Sequence, residues 1–280
     1  MALRAEATAR QMRLATELRR LRNAAGLTAR EAATLLGVSA PQISQIESGL
    51  AGVSEKRLRR LVANYSCTDA ALIEGLVAMA TDRSRGWWEE YRALLPTPFL
   101  DLAELEHHAT SLREVQCLFV PGPLQTADYA RAVFSYRVPE LPAEDIELRV
   151  RHRMRRAATV ARTPYEAVVH EAALRIMVGD RASARAQLTH ILEFSADQHV
   201  TVRVIPMHLE SFAGAASAMT YADGAVPKLD TVVRDGPHGA EFIDSEAQLT
   251  ACRTLFHKVE AAALDPKRSR DLIHRLANEL

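Results

Sequence analysis

Several residues in this 280-residue chain are of the types from which catalytic and metal sites are built. His170-Glu171-Ala172-Ala173-Leu174 begins like the helix of a zinc protease. No second histidine follows at the i,i+4 position where such a helix places its other ligand. His107 and His108 are adjacent, so on a helix they point to different faces and make a poor ligand pair. Cys67, Cys117 and Cys252 are far apart and form no CxxC pair. That spacing excludes a disulfide framework and a cysteine zinc site, and leaves buried free thiols. The sequence holds no Gly-x-Ser-x-Gly elbow, no phosphate-binding glycine loop and no dinucleotide fingerprint. With no nucleophile, base and oxyanion donor brought together, the chain is not expected to be an enzyme, and no metal or cofactor is called for.

A different chemistry is suggested by residues 27–49, LTAREAATLLGVSAPQISQIESG. Thr28 and Glu31 have the spacing of a capping box and start a short helix that stops at Gly37. Ser39 starts a second short helix carrying Ile43 and Ile46, ended near Gly49. Gly37 supplies the backbone freedom for a sharp turn, with Val38 and Ile43 plugging the space between the two helices. This is a helix-turn-helix, whose second helix presents its N-terminal residues to the major groove of DNA. Supporting helices are expected over Thr8–Ala25, after Ser54 with Leu58, Leu61 and Val62 inside, and after Asp69 through Leu72, Leu76 and Met79. A polar break at 81–86 separates a domain over 1–80 from a body over 87–280.

Leu18, Arg19, Leu21, Gly26-Leu27-Thr28, Glu31, Leu36-Gly37-Val38-Ser39, Ile43-Ser44, Ile46-Glu47 and Gly49 together closely resemble the XRE family of bacterial and phage repressors. The resemblance covers about residues 10–65 and implies base contacts from Ala40, Pro41, Gln42 and Gln45. Gln can pair bidentately with adenine, while Ala and Pro can only pack on a thymine methyl, so direct readout is expected to be thin. Shape and phosphate contacts would carry more of the discrimination. The phosphate candidates are Thr28, Ser39, Ser44, Lys56 and Arg57, with Arg19, Arg20 and Arg22 as weaker ones. Such a module is small, so a homodimer on double-stranded DNA with a pseudo-palindromic operator is expected.

The body is expected to carry helices near 101–113, 125–135, 143–161, 171–178, 182–196, 245–263 and 267–279. Strand character falls at Tyr165–His170, Val200–Ile205, Ala218–Ala222, Asp230–Arg234 and Ala240–Ile243. The fold class that follows is an N-terminal all-α helix-turn-helix of four to five helices and a larger α+β domain with a small, partly antiparallel sheet. Val120-Pro121-Gly122, Leu124-Gln125-Thr126, Tyr129-Ala130-Arg131, Glu171–Arg175, Gln187-Leu188 and Val202–Pro206 resemble the large C-terminal domain of actinobacterial antitoxin-like XRE regulators. Pro123, Ala157 and Val233 stand where that family usually has leucine, glutamine and tyrosine. The resemblance implies a small companion protein as partner.

Candidate partner or ligand residues in the body are Gln125 and Tyr129, beside the Pro121-Gly122-Pro123 turn, and Arg149, Arg153 and Arg156 on one helix face. The turn reads either as a rigid loop supporting a groove or as a plain strand-to-helix connection. The arginines read either as a solvated, salt-bridged face or as an anion or acidic-partner site. Trp87-Trp88 with Tyr91 and Phe99 read as packing rather than a ligand box.

Composition sharpens the division. The chain has 35 Lys+Arg and 35 Asp+Glu, but residues 1–66 hold 11 basic against 5 acidic, a balance of +6 that leaves the rest at −6. A basic head is the electrostatic footprint of a nucleic-acid module. No run approaches a transmembrane length, and Met1–Glu6 has no apolar signal core, so a cytoplasmic protein with no membrane partner is expected. The function expected from these residues is a DNA-binding transcriptional regulator whose body binds a companion protein and mediates dimerisation. A small-molecule-sensing body under the same head is the alternative, and a scaffold that does not bind DNA is a third class.

Overall fold

A left-handed residue at Gly37, with φ of 76°, sets the turn around which the first part of the chain is arranged. The computed structural model describes residues 6–82, 84–210, 212–213, 218–236 and 239–280. Most of the N-terminal segment read for a signal, and Arg83 in the polar break, lie outside the described residues. Five helices form where their caps predict: α1 (Ala9–Ala24), α2 (Ala29–Leu36), α3 (Ala40–Ile46), α4 (Glu55–Asn64) and α5 (Ala70–Thr81). Thr8 and Thr28 close capping boxes with Gln11 and Glu31, and the Asp69 side chain accepts the Leu72 N–H at 3.0 Å. Leu18, Leu36, Ile43, Ile46, Leu58, Leu61, Leu72 and Leu76 pack into one core.

The chain forms two compact units. The first runs to Leu105 and includes Gly224–Asp230; the second comprises Glu106–Asp223 and Thr231–Leu280. The division therefore falls after Leu105 rather than at the polar break of 81–86. Residues beyond the break pack with the first helix: Asp101 Oδ1 accepts the Ala9 N–H at 3.0 Å. Asp101 lies on α6 (Thr97–His108), and a 3-10 turn over Trp87–Tyr91 buries Trp88 and Tyr91 as packing residues.

The segment Gly224–Asp230 is far away in sequence, yet Leu229 belongs to the helical core. Gly75 on α5 makes room for it, since a Cβ there would come within 2.7 Å of Leu229 Cδ1. The buried Arg13 guanidinium donates to the carbonyls of Lys228 and Asp230, and Lys228 Nζ lies 3.2 Å from Asp69 Oδ2.

The second unit is built on six strands: β1 (Ser111–Gln116), β2 (Tyr165–His170), β3 (Val200–Ile205), β4 (Met219–Asp223), β5 (Thr231–Gly236) and β6 (Gly239–Ile243). Their order in the sheet is β3-β2-β1-β4-β5-β6. The strands β1, β2 and β3 are parallel, with Gln116 opposite Val169 and His170 opposite Ile205, while β4, β5 and β6 are antiparallel. The α+β class holds, with a larger and mixed sheet.

Parallel pairing requires long crossovers. They are supplied by α7 (Ala127–Ser135) with α8 (Ala143–Val160), and by α9 (Glu171–Arg175) with α10 (Arg181–Phe194). After the sheet come α11 (Glu246–Ala262) and α12 (Pro266–Glu279). Val115, Val168, Tyr221 and Val232 pack with Phe256 and Val259 of α11. Alternation along the strands turns Glu114, Tyr165, Ala167 and Val169 to the other face.

Two expectations are corrected. The helix expected over 101–113 ends at His108, and its last residues begin β1, whose backbone pairs with strands on both sides. The helix expected to reach 178 ends at Arg175.

Candidate nucleic-acid interface

The recognition helix is short, and its start is set by chemistry within the chain. Ser39 has extended backbone angles, and its N–H donates to Gln42 Oε1 at 3.0 Å. Pro41 occupies the first turn, where a missing N–H costs nothing. On the inner face Ile43 and Ile46 are buried, and Val38 and Ala40 pack partly against the same core. Pro41 and Ser44 are exposed, while Gln42 and Gln45 are half-buried.

The candidate base readers thus separate into two kinds. Gln42 has its carbonyl oxygen engaged in holding the helix start and retains its amide N–H groups as donors. The Gln45 side chain makes no hydrogen bond among the described residues, so both ends of its amide remain available for a base edge. The Ser44 hydroxyl donates to the Ala40 carbonyl at 3.3 Å and keeps its lone pairs outward.

Thr28 is more fully committed. Its N–H and hydroxyl both donate to Glu31 Oε2, at 2.8 and 2.7 Å, and its Oγ1 accepts the Glu31 N–H. The backbone N–H of Thr28, and then its hydroxyl, hold the Glu31 carboxyl below its ordinary range. The Thr28 hydroxyl is therefore already engaged with a carboxylate of its own helix. Lys56 and Arg57 lie exposed in the first turn of α4, where basic side chains can reach a backbone phosphate.

The helix-turn-helix is braced by groups that composition alone counts as free charge. Arg22 binds Glu47 at the end of α3 through two bonds, Nε to Oε1 at 2.7 Å and Nη2 to Oε2 at 2.9 Å. Its third nitrogen donates to the Leu27 carbonyl at 2.6 Å, so one guanidinium ties α1 to the loop before α2 and to the recognition helix. Glu47 is 7% exposed, and the fork geometry of arginine suits so enclosed a carboxylate. Arg22 is thus engaged as a brace within the domain. Its signal in the sequence is Glu47, an acid placed just past the recognition helix in an otherwise basic segment. Arg60 likewise donates to the Leu35 carbonyl near the end of α2 at 3.0 Å.

The candidate residues of the second unit come together, but face inward. Tyr129 is buried, and its hydroxyl accepts the Val120 N–H at 3.1 Å. Gln125 is buried too; its Nε2 donates to the Val120 carbonyl at 2.8 Å, and its Oε1 accepts from Arg153 at 2.5 Å. Arg153 lies over the Phe134 ring, 4.9 Å from its centroid. Arg156 grips Glu106 through two bonds of 2.8 and 2.5 Å, both groups buried. Nearby, Glu114 accepts from Tyr165 at 2.8 Å and from Gln116 at 3.0 Å, with burial pushing its carboxyl up. Arg149 donates to the Asp145 carbonyl one turn back. The arginines at 153 and 156 are therefore an internal framework, and the chain entering the turn at Pro121-Gly122-Pro123 is tied at Val120 by Tyr129 and Gln125.

His170 has a structural role. His170 Nδ1 accepts the Ala172 N–H at 3.1 Å, and its ring stacks on Phe212. Cys117 and Cys252 are buried, and none of the three cysteines is in a disulfide. Among the described residues no group of three His, Cys, Asp or Glu side chains could hold a metal ion, and no helix is long and apolar enough to cross a membrane.

Comparison with known families also divides the chain into two parts. A family model described as a helix-turn-helix domain matches residues 13–74, which supports DNA binding by the first unit. A model described as a domain of unknown function, DUF5753, matches residues 99–275, well over half of the chain. No curated protein and no solved structure matches the chain.

Proposed function

The chain belongs to the DUF5753 family, with a helix-turn-helix domain ahead of the family's domain, and on that premise we propose that it is a transcriptional regulator of the XRE type. It reads a pseudo-palindromic operator as a homodimer. The observation that carries this reading is the recognition helix: its start is fixed by Ser39 and Gln42 and its inner face by Ile43 and Ile46, while Gln45 keeps an unengaged amide. A rigid helix with one free bidentate amide is suited to reading a base edge in the major groove.

The second unit is the regulatory part, antitoxin-like in that it takes a small companion protein and mediates dimerisation. No catalytic role is assigned to His170, whose ring nitrogen caps α9. The protein works in the cytoplasm, where its operator is.

A gel-shift titration of the full chain against its own promoter tests the proposal, run with and without the small protein encoded beside it. Sequence-specific retardation that the small protein alters is the expected result. Equal affinity for promoter and scrambled duplex would overturn the regulator reading. Unchanged retardation with every neighbouring gene product would overturn the companion.

A further inference from the structure

The parallel strands β1, β2 and β3 end side by side, and the chain that leaves them exposes large apolar side chains. Leu118 is 60% exposed and Phe119 51%, two and three residues past the end of β1; Met207 is 58% exposed, two residues past the end of β3. Ile176 and Met177, just beyond the single turn of α9 that follows β2, are 43% and 49% exposed. Adjacent strands lie about 5 Å apart, so the outer two of these chain exits are separated by only about 10 Å. Among the described residues of this unit, the other exposed large hydrophobic side chains are Tyr136 and Val138, in the α7–α8 loop.

Exposed apolar groups in a mobile loop would mean little. These are held. Both backbone groups of Val120 are tied, the N–H to Tyr129 and the carbonyl to Gln125. Gln187 adds two more ties, accepting the Thr126 N–H at 2.8 Å and donating to the Leu124 carbonyl at 2.7 Å. The Met207 N–H donates to the buried Glu171 at 2.9 Å, and Glu171 is the first residue of α9. Tyr129, Gln125 and Gln187 thus spend buried polar groups on fixing the segment next to an apolar pair that faces water. Preorganised apolar anchors cost little entropy when they are covered, which is how interface hot spots are built.

We propose that this end of the sheet, centred on Leu118, Phe119 and Met207, is the surface through which two copies of the chain associate. The inference rests on the dimer in the proposed function and names its interface. Area favours a second copy: at roughly 100 Å² of exposed surface per side chain, the five residues give on the order of 500 Å² per copy, the apolar core of an interface that buries about 800 Å² on each partner. Charge agrees, because the surrounding exposed residues carry both signs, Arg175 before Ile176 and Glu210 after Met207. A two-fold interface sets the same patch against itself and needs such a mixed rim, where a one-signed rim would call for an oppositely charged partner.

Sedimentation equilibrium of the full chain tests this, comparing the natural protein with Phe119→Asp, Met207→Asp and, as a control, Tyr136→Asp on the 92%-exposed side chain of the α7–α8 loop. Phe119→Ser serves as a milder substitution, and far-ultraviolet circular dichroism verifies that each variant is folded. The expected result is a dimer whose dissociation constant rises at least tenfold in the Phe119 and Met207 variants and stays unchanged in the control. A dimer indifferent to all the variants overturns this surface while leaving dimerisation standing. A natural protein that is monomeric at tens of micromolar overturns both. A monomer that binds the neighbouring small protein through Phe119 also overturns the proposal, by giving the surface to that partner.

Discussion

Two glutamines one turn apart on the recognition helix have different tasks, and mutation can separate them. Gln42 stabilises the helix start, so Gln42→Ala is expected to lower stability by about 1 kcal/mol, the usual worth of a cap. Gln45 makes no such bond, so Gln45→Ala is expected to leave the melting temperature unchanged and weaken promoter binding about tenfold, for loss of a base contact worth 1–3 kcal/mol. Thermal melts and gel shifts on both variants measure this, and a Gln45 variant that melts early would contradict it. His152 offers a second test. It is 1% exposed, and burial, then Arg156, Arg153 and Arg155, push its pKa down to about 3. Below its ordinary value near 6.5 the unfolded chain binds a proton that the folded chain refuses, so stability is lost as the pH falls from 6.5 towards 3. The expected contribution is up to about 1.4 kcal/mol per pH unit, and His152→Gln removes it. Urea unfolding of both proteins at pH 7 and pH 5 gives the difference in slope.

At the scale of elements, the first five helices were legible because each carries its own punctuation: Thr8, Thr28, Ser39, Ser54 and Asp69 at the starts, and Gly37 at the turn. The strand β1 was not. Its sequence, Ser-Leu-Arg-Glu-Val-Gln, reads as polar and helical, because Glu114 looks like a surface residue. Glu114 is buried only because Tyr165 and Gln116 satisfy it, and the Tyr165 partner lies 51 residues away. Long-range compensation of that kind leaves no local period to read. The same limit hid Gly224–Asp230, whose place in the helical unit depends on Leu229, Arg13 and Gly75 meeting from three distant stretches. Truncating Leu229 to Ala should leave a cavity in that core and cost about 2–4 kcal/mol. Hydrogen exchange on the full chain is expected to quicken in α1 and α5 and to stay unchanged in α10 and α12. Equal protection in all four helices would mean that the segment adds nothing to the helical unit.

For the whole molecule, the balance of +6 in residues 1–66 overstates the charge that DNA can meet. Arg13 and Arg20 pair with Glu17, Arg22 with Glu47, Arg59 with Glu55 and Glu74, and Arg10 with Asp82. Arg60 is bonded to the Leu35 carbonyl. Among the described residues, Arg19, Arg30, Lys56 and Arg57 are exposed basic side chains that can turn towards a phosphate. A dimer using all four on each copy makes about eight phosphate contacts, and the logarithm of its binding constant should fall with the logarithm of salt concentration at a slope near −7. Between 50 and 200 mM salt that is a loss of about 10⁴-fold in affinity. Had every basic residue of residues 1–66 been available, the slope would approach roughly −20. Fluorescence anisotropy of a labelled promoter duplex across that range distinguishes the two. A slope beyond about −12 would mean that the internal ion pairs open on DNA, and Arg22 would then be reading phosphate after all. A slope shallower than about −3 would leave most of these four residues off the backbone, and would move the burden of recognition onto Gln45 and the shape of the groove.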